Sequence, residues 1–319
     1  MDVTAFAEQV IQKKLDVHHV LVVQHDREVA HFDFSSTKRR ENVHSASKSI
    51  LSMAIGIAIH EGLLSLDSRP AEVLRRHHPA DGMDPVWNKV TLRHLLTMSS
   101  GHTIKLLNGY SLAPGQVNRD DLDDLDWVRH VFTVAPEKEP GSLFVYNNAC
   151  PYLAGRMIEE LTGERLIDWL RPRLFEPMNI RNPQWLTDPL GFTCGAGGLQ
   201  LTPEELSRFG RLCLHRGEWE GKQLVPADYL DAAMSKQIES VNEHATKVDA
   251  VSADSPDFSA GYGYLFWKAS FANASYMYGW ASQLCVILPE QDACVVLTAS
   301  DFATQKILSL ISEHIVPQL

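Results

Sequence analysis

The chain has 319 residues, 45% hydrophobic and 22% charged, a length for one large domain or two intertwined ones. That composition excludes disordered, collagenous and low-complexity chains. Lysine and arginine number 29 against 40 aspartate and glutamate, and the net charge of −11 repels phosphate backbones, so nucleic acid is not an expected partner. Phe6, Val10, Ile11 and Leu15 recur at helical spacing and predict a helix from Thr4 to Leu15, with Thr4 as its cap. Val20 to Val23 and Val29 to Phe34 read as strands joined by a turn at Asp26-Arg27. The next helix, Ser45 to His60, stops at Gly62 and is apolar on nearly every face, which places it at the centre of the molecule.

From Leu66 to about Gly210 helices alternate with long loops. One helix opens at Thr91-Leu92, another spans Ala149 to Leu161 before Thr162-Gly163, and a third opens at Thr202-Pro203 with a capping box to Glu205. Strand texture returns at Tyr262 to Trp267, Ser275 to Trp280, Leu284 to Leu288 and Ala293 to Thr298, with a turn at Pro289 to Asp292. An amphipathic helix from Thr304 to Ile315 follows, and no internal repeat is present. The expected fold is α/β (α+β): one antiparallel sheet built from both termini and flanked by helices (1–65 and 211–319), with an inserted, mostly helical lobe (66–210) and a cleft between them. The longest apolar run, Ile50 to Ile59, is far below the ~20 residues of a membrane span. The first residues lack a basic then apolar signal pattern, so a cytoplasmic protein with no membrane partner is expected. Cys150, Cys194, Cys213, Cys285 and Cys294 lack Cys-x-x-Cys spacing and read as buried thiols.

Gly-x-Ser-x-Gly, the P-loop pattern and His-Glu-x-x-His are absent. The 14 histidines lack metal-ligand spacing, so neither a metal nor a cofactor is expected. Two Ser-x-x-Lys tetrads occur. Ser35 to Lys38 falls in a polar turn, where nothing would desolvate its side chains. Ser45-Ala46-Ser47-Lys48 opens the buried helix, where the dipole favours developing negative charge and Lys48 lies one turn from Ser45 on the same face. Desolvation beside so apolar a helix lowers the pKa of Lys48, letting it take the Ser45 proton near neutrality. Tyr146-Asn147-Asn148 lies on a loop before the Ala149 helix. Its phenol can relay a proton, and the Asn148 amide can hydrogen-bond both Lys48 and a substrate carbonyl.

Ser45-x-x-Lys48, followed about 100 residues later by Tyr146-x-Asn148, resembles the serine hydrolase superfamily of class C beta-lactamases, penicillin-binding DD-peptidases and related esterases. Val90 to Gly101, Gly197 to Pro203 with Phe209-Gly210, and Gly217 to Pro226 are similar to further segments of that family. Its third motif, Lys-Thr-Gly or His-x-Gly, is matched by Met277-Tyr278-Gly279-Trp280 running to Gln283, which resembles a Gly-x-x-Gly-Gln variant with Ser282 for the second glycine. The resemblance implies a beta-lactamase/transpeptidase-like fold and an acyl-enzyme on Ser45, with Lys48 and Tyr146 moving protons in acylation and deacylation. Asn148 would orient Lys48 and the substrate, Gly279 would let backbone approach, and the amides of Ser45 and Trp280 would hold the oxyanion. Met277 stands where the family's cation would meet a substrate carboxylate, so the expected substrate is a small-molecule ester or amide, with lactam as a further possibility. The alternatives are a true beta-lactamase or DD-carboxypeptidase, and a catalytically silent binding or regulatory member. The loops 104–126 and 235–258 are expected to shape the pocket, with Gly109 to Asp126 as a lid.

Overall fold

The computed structural model describes residues 1–36, 39–109, 119–242 and 255–319. Parts of both pocket loops (110–118 and 243–254), and with them half of the expected lid, lie outside the described residues, as do Thr37 and Lys38 of the first tetrad. Helix α1 (Thr4–Gln12) leads into a hairpin of β1 (Val17–Gln24) and β2 (Arg27–Asp33). Strand β3 (Glu41–Asn42) and a 3-10 turn (His44–Ala46) precede helix α2 (Ser47–His60). Helices α3 (Pro70–Val73), α4 (Leu92–Leu96), α5 (Trp127–Thr133), α6 (Ala149–Thr162) and α7 (Leu166–Leu170) follow. Then come β4 (Gln184–Trp185), β5 (Leu199–Leu201), α8 (Pro203–Leu214), the small hairpin β6 (Glu218–Trp219) and β7 (Lys222–Gln223), and α9 (Ala227–Met234). The last elements are α10 (Pro256–Ser259), β8 (Trp267–Lys268), β9 (Ser275–Gly279), β10 (Gln283–Leu288), β11 (Ala293–Ala299) and α11 (Thr304–Leu310).

Six strands form one antiparallel sheet in the order β2-β1-β11-β10-β9-β8, so the two early strands and the four late ones share it, as expected. Every residue of β10 and β11 is buried, the pattern of strands covered on both faces. Each large aliphatic side chain sealed there contributes roughly 1.5–3 kcal/mol. Helix α8 packs on β1, β10 and β11. Its start is fixed by the predicted capping box, in which Thr202 Oγ1 accepts from the Glu205 amide and Glu205 accepts from the Thr202 amide. Gly210 sets its closeness: a Cβ there would lie 2.8 Å from the sulfur of Cys285 and 2.9 Å from that of Cys294. All five cysteines are free and buried.

Helix α2 is buried from Ser47 to Ala58 and packs on α6 and α9. A second sheet, β3-β5-β4, ties the segment entering α2 to residues 199–201. Among the described residues no helix is long and apolar enough to cross a membrane.

Several local expectations shift. Helix α1 stops at Gln12, and Thr4 does not cap it; Asp2 Oδ1 accepts the Thr4 amide. The hairpin turn is His25-Asp26, whose φ angles of +49° and +62° suit a two-residue loop with Gln24 opposite Arg27. The Tyr262 to Trp267 strand is replaced by a tight reversal in which Gly263 donates to the Phe266 carbonyl, and only Trp267–Lys268 joins the sheet. The aromatic run there serves the core. The last helix ends its α-winding at Leu310 and continues as a wider turn to Ile315.

Overpacking a helix–sheet contact typically costs about 1–3 kcal/mol, so Gly210→Val is expected to lower the unfolding free energy by that amount, seen as a lower chemical-denaturation midpoint, despite valine's better helix propensity. An unchanged midpoint would show that α8 does not depend on this close approach.

Candidate active site

The approach to Ser45 is braced at every residue. The Val43 amide donates to the Leu199 carbonyl at 2.9 Å, and Val43 is fully buried. His44 takes a left-handed backbone (φ +47°), held by its amide donating to Asn42 Oδ1 at 2.8 Å. A non-glycine residue in that conformation costs on the order of 1–3 kcal/mol, which the surrounding bonds must offset. Ser47 supplies two of them: its hydroxyl donates to the His44 carbonyl at 2.6 Å and accepts the Leu199 amide at 3.1 Å. Ser45 therefore rides on the 3-10 turn before α2, where the sequence had placed it in the helix's first turn.

Lys48 is 1% exposed, with Nζ 2.8 Å from Ser45 Oγ and 2.5 Å from the Ala196 carbonyl oxygen. Burial, and then the nearby Arg119 charge, hold its pKa well below that of an ordinary lysine. Cys150, whose thiolate would oppose this, has its thiol pushed up to about 11 by burial, so it is neutral at physiological pH. Lys48 Nζ also lies 5.0 Å from the centroid of the Tyr146 ring. That ring is stacked on Trp267 (5.7 Å) and meets Tyr262 edge-on, which fixes its plane. Ser45, Lys48 and Tyr146 are thus brought together.

Asn148 is close by but does not hold Lys48. Its Nδ2 donates to the Leu107 carbonyl and to Asn108 Oδ1, and its Oδ1 is a buried acceptor without a hydrogen-bond partner among the described residues. The expected orientation of Lys48 falls to the Ala196 carbonyl instead. The small-residue run Cys194-Gly195-Ala196-Gly197-Gly198 was the available sign of a backbone packed tightly enough to reach an amine.

Strand β9 ends at Gly279, paired with Gln283, and Trp280 follows it. A Cβ on Gly279 would lie 2.1 Å from the Val43 carbonyl oxygen, so only glycine lets this strand lie against the Ser45 turn. Trp280 is 44% exposed and packs edge-on against His44 and Phe302. Ser282 has φ +65°, a conformation natural to the glycine it replaces, and its hydroxyl donates to the Asp301 carbonyl. Met277 is fully buried and does not line the cleft; the β9 side chain that does is Tyr278.

Two adjoining hollows meet at Ser45, Lys105, Tyr146 and Trp280. One, about 360 Å³, is walled by Phe258, Trp267, Tyr278 and Phe302. The other, about 310 Å³, is lined by Asn108, Arg119, Asn148 and Gly197. Lys105, Arg119 and Phe258 fall in the two loops expected to shape the pocket, but no motif singled them out; Tyr278 stood in the third motif and Trp267 in a strand run without being read as pocket walls, and Phe302 carried no signal. The described residues hold one possible metal-ligand group, His19, His31 and Asp33; its two imidazoles both bond Asp33 Oδ1, and none of the three lines the hollows.

Residues 8–309 match the Beta-lactamase family model, and the chain belongs to that family of hydrolases. The lovastatin esterase of Penicillium rubens is 30% identical over 154 residues, 44% of this chain and 38% of that protein, so the match spans well under half of that relative. Similar solved folds include EstCE1, a hydrolase with promiscuous acyltransferase activity (TM-score 0.75, 16% identity, 98% of this chain and 97% of that one). A class C beta-lactamase in complex with cefoxitin is comparably similar (TM-score 0.73, 13% identity, 99% and 98%). The fold is beta-lactamase/transpeptidase-like.

Gly279→Ala would drive β9 off the Ser45 turn. Because misplacement by ~1 Å can cost about 100-fold in rate, hydrolytic kcat is expected to fall by at least tenfold while the protein stays folded by circular dichroism. Wild-type kcat in the variant would show that this contact does not position the site.

Proposed function

We propose that this chain is a serine hydrolase that cleaves ester or amide bonds of small molecules through an acyl-enzyme on Ser45. The observation that carries the reading is a sealed amine 2.8 Å from the Ser45 hydroxyl, with burial favouring its neutral form. In that form one N–H donates to the Ala196 carbonyl, which leaves the lone pair to accept the Ser45 proton. Ser45 Oγ then bonds to the substrate carbonyl carbon, and the amides of Ser45 and Trp280 hold the oxyanion. As the tetrahedral intermediate collapses, the proton passes by way of Lys48 and Tyr146 to the departing alcohol or amine. Water activated by the same pair hydrolyses the acyl-enzyme, returning the hydroxyl to Ser45. Asn148 lines the second hollow beside Ser45 and, through its bonds to the Leu107 carbonyl and Asn108 Oδ1, holds that wall in place.

The reaction takes place between the sheet portion (1–65 and 211–319) and the inserted helical portion (66–210). Ester and amide substrates are preferred over lactams because β9 offers Tyr278 to the cleft and keeps Met277 in the core, so no cation from that strand meets a lactam carboxylate.

Ser45→Ala is expected to lower turnover of short aryl esters at least ~1000-fold and to abolish fluorophosphonate labelling, while Ser35→Ala changes neither. Labelling that survives Ser45→Ala would end the assignment. The pH dependence has a defined sign: protonated Lys48 cannot accept a proton, so kcat/KM rises as pH climbs through its pKa and is level above it. That limb is expected well below lysine's ordinary range of about 10.4, and should vanish, with nearly all activity, in Lys48→Arg. A profile still rising at pH 10 would contradict a desolvated Lys48 base.

A further inference from the structure

Two large aromatic side chains stand exposed together on the wall of the hollow toward β9. Phe302 is 68% exposed and Trp280 44%, and their rings meet edge-on at 4.8 Å. A single exposed ring is ordinary on a protein surface, but an adjoining pair beside a reaction centre marks a surface kept for a ligand. Both stand on braced backbone. The Asp301 carbonyl accepts the Ser282 hydroxyl at 2.6 Å, Asp301 Oδ1 accepts the Ala303 amide at 2.7 Å, and Asp301 Oδ2 accepts the Asp16 amide at 2.9 Å. Ser282 is fully buried and also bonds Thr304 Oγ1 at 2.8 Å. The turn that carries Trp280 and the segment that carries Phe302 are therefore one unit.

The rest of the hollow is walled by rings that fix one another. Phe258 meets Trp267 edge-on at 5.1 Å and Tyr278 edge-on at 5.0 Å. Its helix, α10, is anchored by buried Asp257. One oxygen of that carboxylate accepts the Ser270 amide and hydroxyl, and the other accepts the Gln305 side-chain amide. Walls held in this way are formed before a ligand arrives, so docking against them loses little side-chain freedom.

No carboxylate among the described residues lines this hollow, so nothing on the described wall pairs with a cationic guest. Rings gain more from a flat aromatic partner than from an alkyl chain of equal area, through offset and edge-on contacts. The volume of about 360 Å³ lies near the lower end for small-molecule pockets, about 300–1,000 Å³, and suits a group of roughly one or two rings. We propose that the enzyme is selective for esters and amides bearing a neutral aromatic group, which enters the hollow walled by Phe258, Tyr278 and Phe302, and that Phe302 sets this preference. This rests on the serine hydrolase reading and names its substrate class.

The test uses two matched pairs of esters without a chromogenic ring, followed by titration of the released acid. One pair is 2-phenylethyl acetate and hexyl acetate; the other is methyl 3-phenylpropanoate and methyl heptanoate. Within each pair a phenyl ring replaces a butyl chain of similar apolar area, and two methylenes separate it from the ester group. The first pair carries the ring on the alcohol side of the scissile bond and the second on the acyl side. Wild type is expected to prefer the aromatic ester about fivefold in kcat/KM in at least one pair, which identifies the side the hollow serves. Phe302→Leu keeps an apolar side chain at an exposed position and should lower that preference about threefold, whereas Phe302→Tyr should retain it. Ratios of one or less in both pairs, or a preference that Phe302→Leu leaves unchanged, overturn the inference while leaving the hydrolase reading intact. No turnover of any of the four esters, with no fluorophosphonate adduct on Ser45, would overturn both.

Discussion

The site depends on keeping one amine dry. An ammonium with access to water would hold its proton at neutral pH and could only donate to Ser45; sealed at 1% exposure, Lys48 can instead receive. The sealing is accomplished by elements that serve the fold in any case. Helix α2 is buried by α6 and α9, the 194–198 run closes over the amine and presents the Ala196 carbonyl, and the Tyr146 ring covers another side. Under the proposed mechanism, chemistry and packing are one arrangement: loosening the core around α2 would admit water to Lys48 and raise its pKa without touching Ser45.

Rigidity around the nucleophile has a similar origin. His44 sits in a strained conformation because β3, β5 and β9 converge on a stretch of four residues. Strand β5 holds Val43 through the backbone, Ser47 ties the turn to Leu199, and β9 approaches closely enough that only a hydrogen fits at Gly279. Two sheets with different strand orders thus grip the same short turn. That turn aims Ser45 Oγ at Lys48 and at the junction of the two hollows.

Periodicity and motif made much of this legible. The continuous apolar runs of β10 and β11 and the all-round apolar α2 carried the sheet and the central helix, because burial on all sides leaves a composition that few other arrangements explain. The pairing of Ser45 with Lys48 was legible because helical geometry fixes residues three apart. What escaped was whatever depends on contacts between distant segments. Ala196 acts through its backbone, which carries no side-chain signature, and Asn148 turned toward Asn108 because a neighbouring loop offered it a better partner than Lys48. The aromatic Tyr262 to Trp267 run read as a strand but folds back on itself, since alternating bulky residues can equally pack a reversal into a core.

The pairing of β1 with β11, from Val17 opposite Ala299 to Gln24 opposite Ala293, has a bearing on biosynthesis. The first strand leaves the ribosome long before its partner exists, and for most of translation its apolar edge must wait unmatched. Contacts separated by so much intervening sequence slow folding and expose the nascent chain to mispairing. The turn that carries Ser45, made early, meets β9 only near the end of synthesis, so a partly made chain holds that turn without the strand that closes against it.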